Sequence, residues 1–137
     1  MYTLRIGNDI DMDAVLAVYR QSTLGERRPI DDITRMTAMV REANLVITAW
    51  DNARMIGIAR CLTDFVYVTY LADLAVSADY QRQGIGRALI EAVRTACGPD
   101  TGIILLSAPA ANTYYPRIGM KRHDRCWVLN PGDELLA

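Results

Sequence analysis

The pattern of apolar residues is clearest after Gln83, where it predicts an amphipathic helix. The apolar positions recur at helical spacing and form one stripe, at Ile85, Ala88, Leu89, Ala92, Val93 and Ala96. Gly98 and Pro99 then end the helix, because glycine is common just after a helix and proline cannot continue one. One face of this helix is therefore expected to pack against a sheet.

The N-terminal third of the chain predicts two more helices joined by a polar loop. The apolar face of the first helix comprises Ile10, Ala14, Val15, Val18 and Tyr19. Asp9 or Asp11 can cap its start. The second helix begins near Asp31 and Asp32, whose carboxylates suit the positive end of a helix dipole. The polar stretch between the two helices, 23–29, is expected to be a loop.

Apolar and β-branched residues predict strands through the rest of the chain. Residues 45–50 and 55–62 flank a polar turn and predict a β-hairpin. Residues 67–76 predict a third long strand. The stretch 103–106 is wholly apolar, which is typical of a central parallel strand buried on both faces. A last strand is expected at 120–129.

Together with a first strand at residues 1–6, these elements predict a mixed α/β sheet of about six or seven strands with roughly four helices. The length of 137 residues suits a single domain, 1–137, that buries a substantial core. Apolar residues make up 51% and charged residues 23%, as in ordinary globular proteins.

Charge and cysteine usage exclude several classes of function. The net charge of −1 argues against a nucleic-acid binder, which needs a basic surface. No apolar run is long enough for a membrane span, and the start of the chain resembles a strand rather than a signal peptide. Cys61, Cys97 and Cys126 form no metal or redox motif, and His123 is the lone histidine. We therefore expect a cytoplasmic protein with reduced thiols and no metal.

The strand–turn–helix order just before the amphipathic helix predicts an anion-binding site. A helix N-terminus leaves backbone N–H groups unpaired and carries partial positive charge. Gly84 and Gly86 allow a phosphate to approach the backbone, and Arg82 and Arg87 add positive charge at the rim. The Walker pattern is absent, and Leu89 stands where the dinucleotide fingerprint needs a small residue.

Another pattern matches this loop. Gln81, Gly84 and Gly86 fit Gln/Arg-x-x-Gly-x-Gly/Ala, the pyrophosphate loop of the GNAT superfamily of N-acetyltransferases, and residues 71–89 resemble that family's central motif. Downstream, residues 114–120 (Tyr-Tyr-Pro-Arg-Ile-Gly-Met) resemble the family's aromatic-Tyr-x-Lys/Arg-x-Gly-Phe signature. The two motifs occur in the family's order.

The resemblance covers residues 44–129 well and the N-terminal third in outline. Two positions in the second motif depart from the family. Pro116 stands where an acidic residue is common, and Met120 stands where phenylalanine is usual. Neither change removes a reacting group.

The resemblance implies the GNAT fold, with mostly antiparallel strands and a central parallel pair that splays apart to admit acetyl-CoA. That pair would be the strand bearing Leu74 and the strand at 103–106. Asn112 could contact the pantetheine arm or cap a short helix at 112–117. The other implied cofactor contacts are Leu74, Ala75, Val76, Gln81, Arg82, Gln83, Gly84, Ile85, Gly86 and Arg87.

The resemblance also implies candidate catalytic groups. A backbone N–H near Val76 would stabilise the negative charge that develops on the thioester oxygen. Tyr115 is the candidate proton donor, since a phenol pKa near 10 lies above the ~8.5 of a thiol; the alternative is a core aromatic residue whose hydroxyl finds a partner. Asp73 is the candidate base or amine anchor. The alternative is a structural ion pair with a residue such as Arg60, with water as the base, as in many members of the family.

Three charged residues are candidates for binding the acceptor. Glu26, Arg27 and Arg28 lie in the loop between the first two helices, which borders the acceptor site in the family. The alternative is that this loop is simply charged and solvated.

These features predict an acetyl-CoA-dependent N-acetyltransferase. It would move an acetyl group to a primary amine of a small molecule or peptide by direct attack in a ternary complex, as a monomer or a homodimer. The alternatives are a non-catalytic CoA-binding or sensing module on the same fold and an enzyme that uses a longer acyl group. Tyr115 separates the first two hypotheses, because a pure binder needs no proton donor beside the sulfur.

Overall fold

The computed structural model of the protein describes residues 1–137. Its helices and strands, in chain order, are β1 (Thr3–Ile6), α1 (Met12–Gln21), α2 (Ile33–Glu42), β2 (Leu45–Asp51), β3 (Arg54–Thr63), β4 (Val68–Val76), α3 (Ile85–Cys97), β5 (Gly102–Ile104) and α4 (Tyr114–Arg117). Short 3-10 helices lie at Thr23–Arg27, Ala78–Tyr80 and Pro109–Ala111. The chain forms two compact units, Met1–Leu106 and Ser107–Ala137.

The first unit is built on one mixed sheet with the strand order β1-β2-β3-β4-β5. The first three pairs of neighbours are antiparallel, and β4 and β5 are parallel. The mixed α/β class is therefore confirmed, as is the β2–β3 hairpin. Its turn contains Asn52 with φ of 52°, a left-handed conformation that asparagine tolerates better than most residues.

Helices cover both faces of this sheet. Residues of α1 and α2, among them Tyr19 and Met36, pack in one buried cluster with Ile58 of β3. The neighbouring residue Gly57 points to the opposite face, where a Cβ would lie 3.2 Å from the Leu89 side chain of α3. This close approach seats α3 on the sheet. Along α3 the buried residues are Ile85, Leu89, Ile90, Val93 and Cys97.

The sheet has five strands rather than six or seven, because the predicted strand at 120–129 does not form. Residues 121–137 are exposed throughout. The backbone N–H of Arg125 donates to Nδ1 of His123 at 3.0 Å, and this local turn competes with extended pairing. The charged run from Lys121 to Arg125 also offers no apolar face for a sheet to bury.

The predicted burial of residues 103–106 is also wrong. The strand there is short and lies at the edge of the sheet, so the parallel pair is not central. Ile104 and Leu106 are each 52% exposed. Without a sixth strand beside β5, an apolar run that resembles a buried strand remains open to solvent. Among the helices of the fold, no candidate for a membrane-spanning segment is found.

Candidate active site

The loop at residues 82–87 presents its backbone amides without partners inside the protein. Gly84 caps α3, and the first hydrogen bond of the helix runs from Ala88 N–H to the Gly84 carbonyl at 3.0 Å. None of the backbone N–H groups from Arg82 to Arg87 donates to another group of the chain. These donors, at the positive end of a helix dipole, form a site suited to a phosphate.

The shape of the loop depends on two residues with positive φ. Gly84 has φ of 81°, and a Cβ built there would meet nothing within 4 Å, so the space in front of the helix is open. Arg82 has φ of 63°, which is uncommon for a residue with a side chain. Both residues lie just before Ile85, the first residue of α3.

Contacts outside the loop hold it in place. The Gln81 side-chain amide donates to the Val76 carbonyl at 3.0 Å, and the Tyr80 hydroxyl donates to Asp51 at 2.7 Å. The Ile85 side chain is 2% exposed and packs into the core, while Gln83 makes only a long contact of 3.5 Å with the Asp79 carbonyl. The side chains of Gln81 and Ile85 thus hold the loop against the rest of the fold, while the loop amides remain without partners in the protein.

Strand β4 extends beyond the end of its parallel partner. β5 pairs only with residues Val68, Thr69 and Tyr70 of β4. The Ser77 N–H donates to a carbonyl of β3 at 2.9 Å. Since alternate backbone groups of a strand point to opposite edges, the N–H groups of Leu74 and Val76 point to the edge that β5 leaves open. The parallel pairing therefore ends before Leu74 and Val76, and no strand lies beside this edge of β4 where the chain approaches the loop.

Asp73, the candidate base, is fully buried in a cluster of polar side chains. Its side chain is 0% exposed. Nε of Arg28 donates to Oδ1 at 2.6 Å, and Nε of Arg60 donates to Oδ2 at 2.6 Å. The Tyr19 hydroxyl donates to the same Oδ2, also at 2.6 Å. The predicted alternative, an ion pair with Arg60, is thus present and is joined by two further partners.

Asp73 is poorly suited to accept a proton in this setting. Burial alone would raise the pKa of its carboxyl group, but the hydrogen bond and charge of Arg60, the Tyr19 hydroxyl and the charge of Arg28 lower that pKa overall. Burial and the nearby Asp73 charge raise the pKa of Tyr19, so its phenol remains a neutral donor. With a lowered pKa and a donor already bound to each oxygen, the carboxylate has little tendency to take up a further proton.

The loop between α1 and α2 differs along its length. Glu26 and Arg27 are exposed, as the solvated-loop alternative predicts. Arg28 is instead partly buried, and its Nη2 donates to the Ala72 carbonyl of β4 at 3.0 Å. The buried Gly25 permits this packing, because a Cβ there would lie 2.6 Å from the Tyr19 carbonyl oxygen. A glycine at this position brings the loop against α1 and directs Arg28 to β4.

Tyr115 and Asn112 lie in the second unit, Ser107–Ala137. Tyr115 belongs to α4, packs edge-on against Tyr114 with ring centroids 5.2 Å apart, and its carbonyl accepts from Met120 N–H at 3.0 Å. Burial, followed by the neighbouring Tyr114, raises the pKa of the Tyr115 phenol. The Asn112 side-chain oxygen accepts from the Ser107 hydroxyl at 3.0 Å, and the N-cap of α4 is Thr113. Asn112 therefore does not cap this helix.

Comparison with known proteins decides the family. A sequence profile described as the acetyltransferase (GNAT) domain matches residues 16–128. The chain belongs to this GNAT family of acetyltransferases. The parallel pair of β4 and β5 and the helix that begins with a glycine-containing loop, described above, accordingly belong to the GNAT fold.

Individual relatives agree with this assignment. Histone acetyltransferase TAP1 of Glycine max is 36% identical over 73 residues, which are 52% of this chain and 32% of the relative. Aminoglycoside N-acetyltransferase AAC(6')-Iy, solved in complex with CoA, gives a TM-score of 0.74 at 17% identity over 97% of this chain and 96% of that one. The ribosomal-protein-S18-alanine N-acetyltransferase of Escherichia coli gives a TM-score of 0.68 at 24% identity, over 87% of this chain and 77% of that one. These solved structures establish the fold, and this GNAT chain spans about a third of the length of the curated relative.

Two residues of this GNAT domain's site were missed in the sequence. Tyr19 was predicted only as an apolar-face residue, although a tyrosine on such a face carries a hydroxyl that needs a partner when buried. Gly25 carried no signal beyond its place in a polar loop. Gly25 matters because the loop backbone packs closely against the Tyr19 carbonyl of α1, and no local sequence pattern reveals such a contact.

Proposed function

We propose that the protein is an acetyl-CoA-dependent N-acetyltransferase that acts on a primary amine of a small molecule or peptide, with direct attack in a ternary complex. One observation carries this proposal. The unpaired amides of residues 82–87 follow shortly after a strand whose own backbone N–H groups, at Leu74 and Val76, have no partner on one edge. A pyrophosphate joined to an amide-containing arm is the chemistry that matches both features.

The residues of the chain fit such a ligand. The amides of residues 82–87 would bind the pyrophosphate, with Arg82 and Arg87, both exposed, adding charge at the rim. The Leu74 and Val76 backbone would pair with the arm as a strand edge pairs with an added strand. When bound, acetyl-CoA supplies an acetyl group activated as a thioester.

A backbone N–H near Val76, on the open edge of β4, is the donor that we assign to the thioester oxygen. The loop lies after the C-terminal end of β4, so an arm anchored there would run back along the strand past Val76 to Leu74. A fixed backbone N–H in a partly dry site stabilises developing negative charge without reorganisation.

Tyr115 is the proton donor that we assign to the leaving sulfur. Its motif matches the family signature, and a phenol whose pKa is raised by burial stays protonated at neutral pH. A donor at this step must hold its proton until the thiolate forms, and Tyr115 meets this condition.

Water, rather than Asp73, is the base that we assign to the attacking amine. A carboxylate whose pKa is lowered and whose two oxygens accept from Arg28, Arg60 and Tyr19 has little affinity for a further proton. Asp73 instead fixes the position of Arg28. We also place the protein in the cytoplasm, because Cys126 is an exposed free thiol of the kind that reducing compartments preserve.

Ligand binding and turnover test this proposal separately. Acetyl-CoA at one hundred times its Kd should stabilise the protein by about 2.7 kcal/mol, while NADH and ATP should have little effect on the melting temperature. Release of free thiol on adding a panel of primary amines should then show transfer. Equal thermal shifts with NADH would refute the acetyl-CoA site, and binding without thiol release from any amine would favour the non-catalytic module.

A further inference from the structure

The polar cluster around Asp73 carries one positive charge more than its carboxylate balances. Two guanidinium groups, of Arg28 and Arg60, share the single carboxylate, and the Tyr19 phenol is neutral. The side chain of Arg60 is 11% exposed and that of Arg28 is 24% exposed. The uncompensated charge is therefore accessible mainly at Arg28.

The Arg28 guanidinium is held firmly and still has donors to offer. Its Nε donates to Asp73, its Nη2 to the Ala72 carbonyl at 3.0 Å and its Nη1 to the Arg27 carbonyl at 2.8 Å. The second N–H of each Nη has no partner in the protein. A planar guanidinium fixed in this way loses little side-chain entropy when its remaining N–H groups bind a carboxylate.

Arg28 contacts the part of β4 to which the reacting end of the arm would extend. This step rests on the proposed function. The arm would start at the loop and pair with Val76 and Leu74, and the Ala72 carbonyl, which accepts from Arg28, lies further along the same strand. At about 3.3 Å per residue, Ala72 lies roughly 13 Å back along β4 from Val76.

The other charges of this region do not cancel the excess. Glu26 and Arg27 are exposed, have opposite signs, and their side chains form no ion pair. Solvent screens such groups strongly. The charge that an acceptor meets near Ala72 is therefore that of Arg28.

We propose that Arg28 selects an acceptor that carries a carboxylate close to its amine, as in an α- or β-amino acid. The carboxylate binds the free Nη donors of Arg28, and this contact directs the amine toward the thioester end of the arm. Asp73 is a positioning residue in this scheme, because it orients the guanidinium. The same charge repels acceptors that present only ammonium groups.

An acceptor panel with matched chemistry tests the proposal. Free L-amino acids and β-alanine are compared with their carboxamides and with the corresponding simple amines, and thiol release is followed at two pH values to correct for the basicity of each amine. We expect kcat/KM for the best carboxylate acceptor to exceed that of its carboxamide at least tenfold. Arg28→Gln should remove most of this preference, mainly through KM.

Matched variants separate recognition from damage to the fold. Arg28→Gln leaves Asp73 paired with Arg60 in a balanced pair, so it should remain folded. Arg28→Lys keeps the charge without the fork and should retain part of the preference. Arg20→Gln removes the same charge from an exposed position in the last turn of α1 and should change neither kcat nor KM.

Each outcome decides the proposal. A carboxamide used as well as its acid, or a preference that survives Arg28→Gln, overturns the inference and leaves the acetyltransferase proposal intact. If no acceptor turns over, the readout becomes the melting temperature with CoA present, and the absence of any Arg28-dependent stabilisation by amino acids overturns the inference. Failure of acetyl-CoA itself to bind refutes the proposed function.

Discussion

Two regions beside the C-terminal half of β4 use polar groups in opposite ways. The loop at residues 82–87 leaves its backbone amides unpaired and faces open space at Gly84. The cluster around Asp73 is closed, because each carboxylate oxygen already accepts from a charged or phenolic donor. The first arrangement is suited to binding an anion from solution, and the second is suited to holding the protein's own groups in place.

The contrast follows from the cost of desolvation. Amides at an exposed helix start can pair with water until a ligand arrives, so leaving them open costs little. A buried carboxylate has no such access to water and must be paired within the fold. A carboxylate in an apolar strand therefore indicates a structural partner as readily as a catalytic role, and its neighbours decide between the two.

Asp73→Asn should break the closed region and have the largest effect on stability. The substitution keeps the shape of the side chain but leaves Arg28 and Arg60 without a counter-charge. Breaking a buried ion pair by removing one partner typically costs about 3–5 kcal/mol. Urea unfolding at pH 7 should show a loss of this size.

The pH dependence provides the control for that variant. The pKa of Asp73 is lowered in the folded state, so its contribution to stability is complete above the ordinary aspartate pKa of about 3.9 and is lost as the pH falls through the folded value. The wild type and Asp73→Asn should thus converge in acid. A variant as stable as the wild type at pH 7, but with the acidic limb of its rate profile abolished, would return Asp73 to the role of base, because a base must be deprotonated to act.

Gly86→Asp should block the open region with little effect on the free protein. The new carboxylate would place like charge beside the pyrophosphate and obstruct the amides. The stabilisation of about 2.7 kcal/mol expected from acetyl-CoA at one hundred times its Kd should disappear. Gly86→Asn, of the same size without the charge, separates repulsion from obstruction. Unchanged affinity in the Asp variant would mean that residues 82–87 are not the phosphate site.

Tyr115→Phe should affect neither region's structure and should slow only the reaction. The change removes one oxygen, and we expect turnover to fall at least tenfold, or about 1.4 kcal/mol of barrier, with a much smaller change in acetyl-CoA binding. The ratio of wild-type to variant turnover is measured by thiol release under conditions in which the chemical step limits the rate.

The pH profile of Tyr115→Phe is an independent check. Because burial raises the pKa of Tyr115, wild-type activity should decline only above the ordinary phenol value of about 10, and the variant should lack this decline. Wild-type turnover in the Phe variant would assign the proton to water.

The sequence predicted the open region well, since its determinants are local. Helical spacing after Gln83 and the glycines at positions 84 and 86 define α3 and its loop within one short stretch. The hairpin formed by β2 and β3 is similarly local. Such elements are coded by neighbouring residues, and the structure confirms them.

The closed region could be predicted only in part, because its determinants are distant in sequence. Arg60 was foreseen as a partner of Asp73, but Arg28 and Tyr19 reach Asp73 from other segments. The register shift in β4, which leaves Ala72 unpaired between Leu71 and Asp73, has no signal in the sequence. The prediction that residues 103–106 are buried was wrong for a related reason, since apolar composition does not reveal whether another strand will lie alongside.

Because successive amides of β4 point to opposite edges, their hydrogen exchange rates can report whether a ligand is bound along the strand. The amides of Ala75 and Ser77 face β3 and should exchange slowly, while those of Leu74 and Val76 face the open edge and should exchange fast. A ligand seated on that edge would slow only the second pair. Residue-resolved exchange can therefore distinguish a ligand along the strand from one bound at the loop alone, without any substitution in the protein.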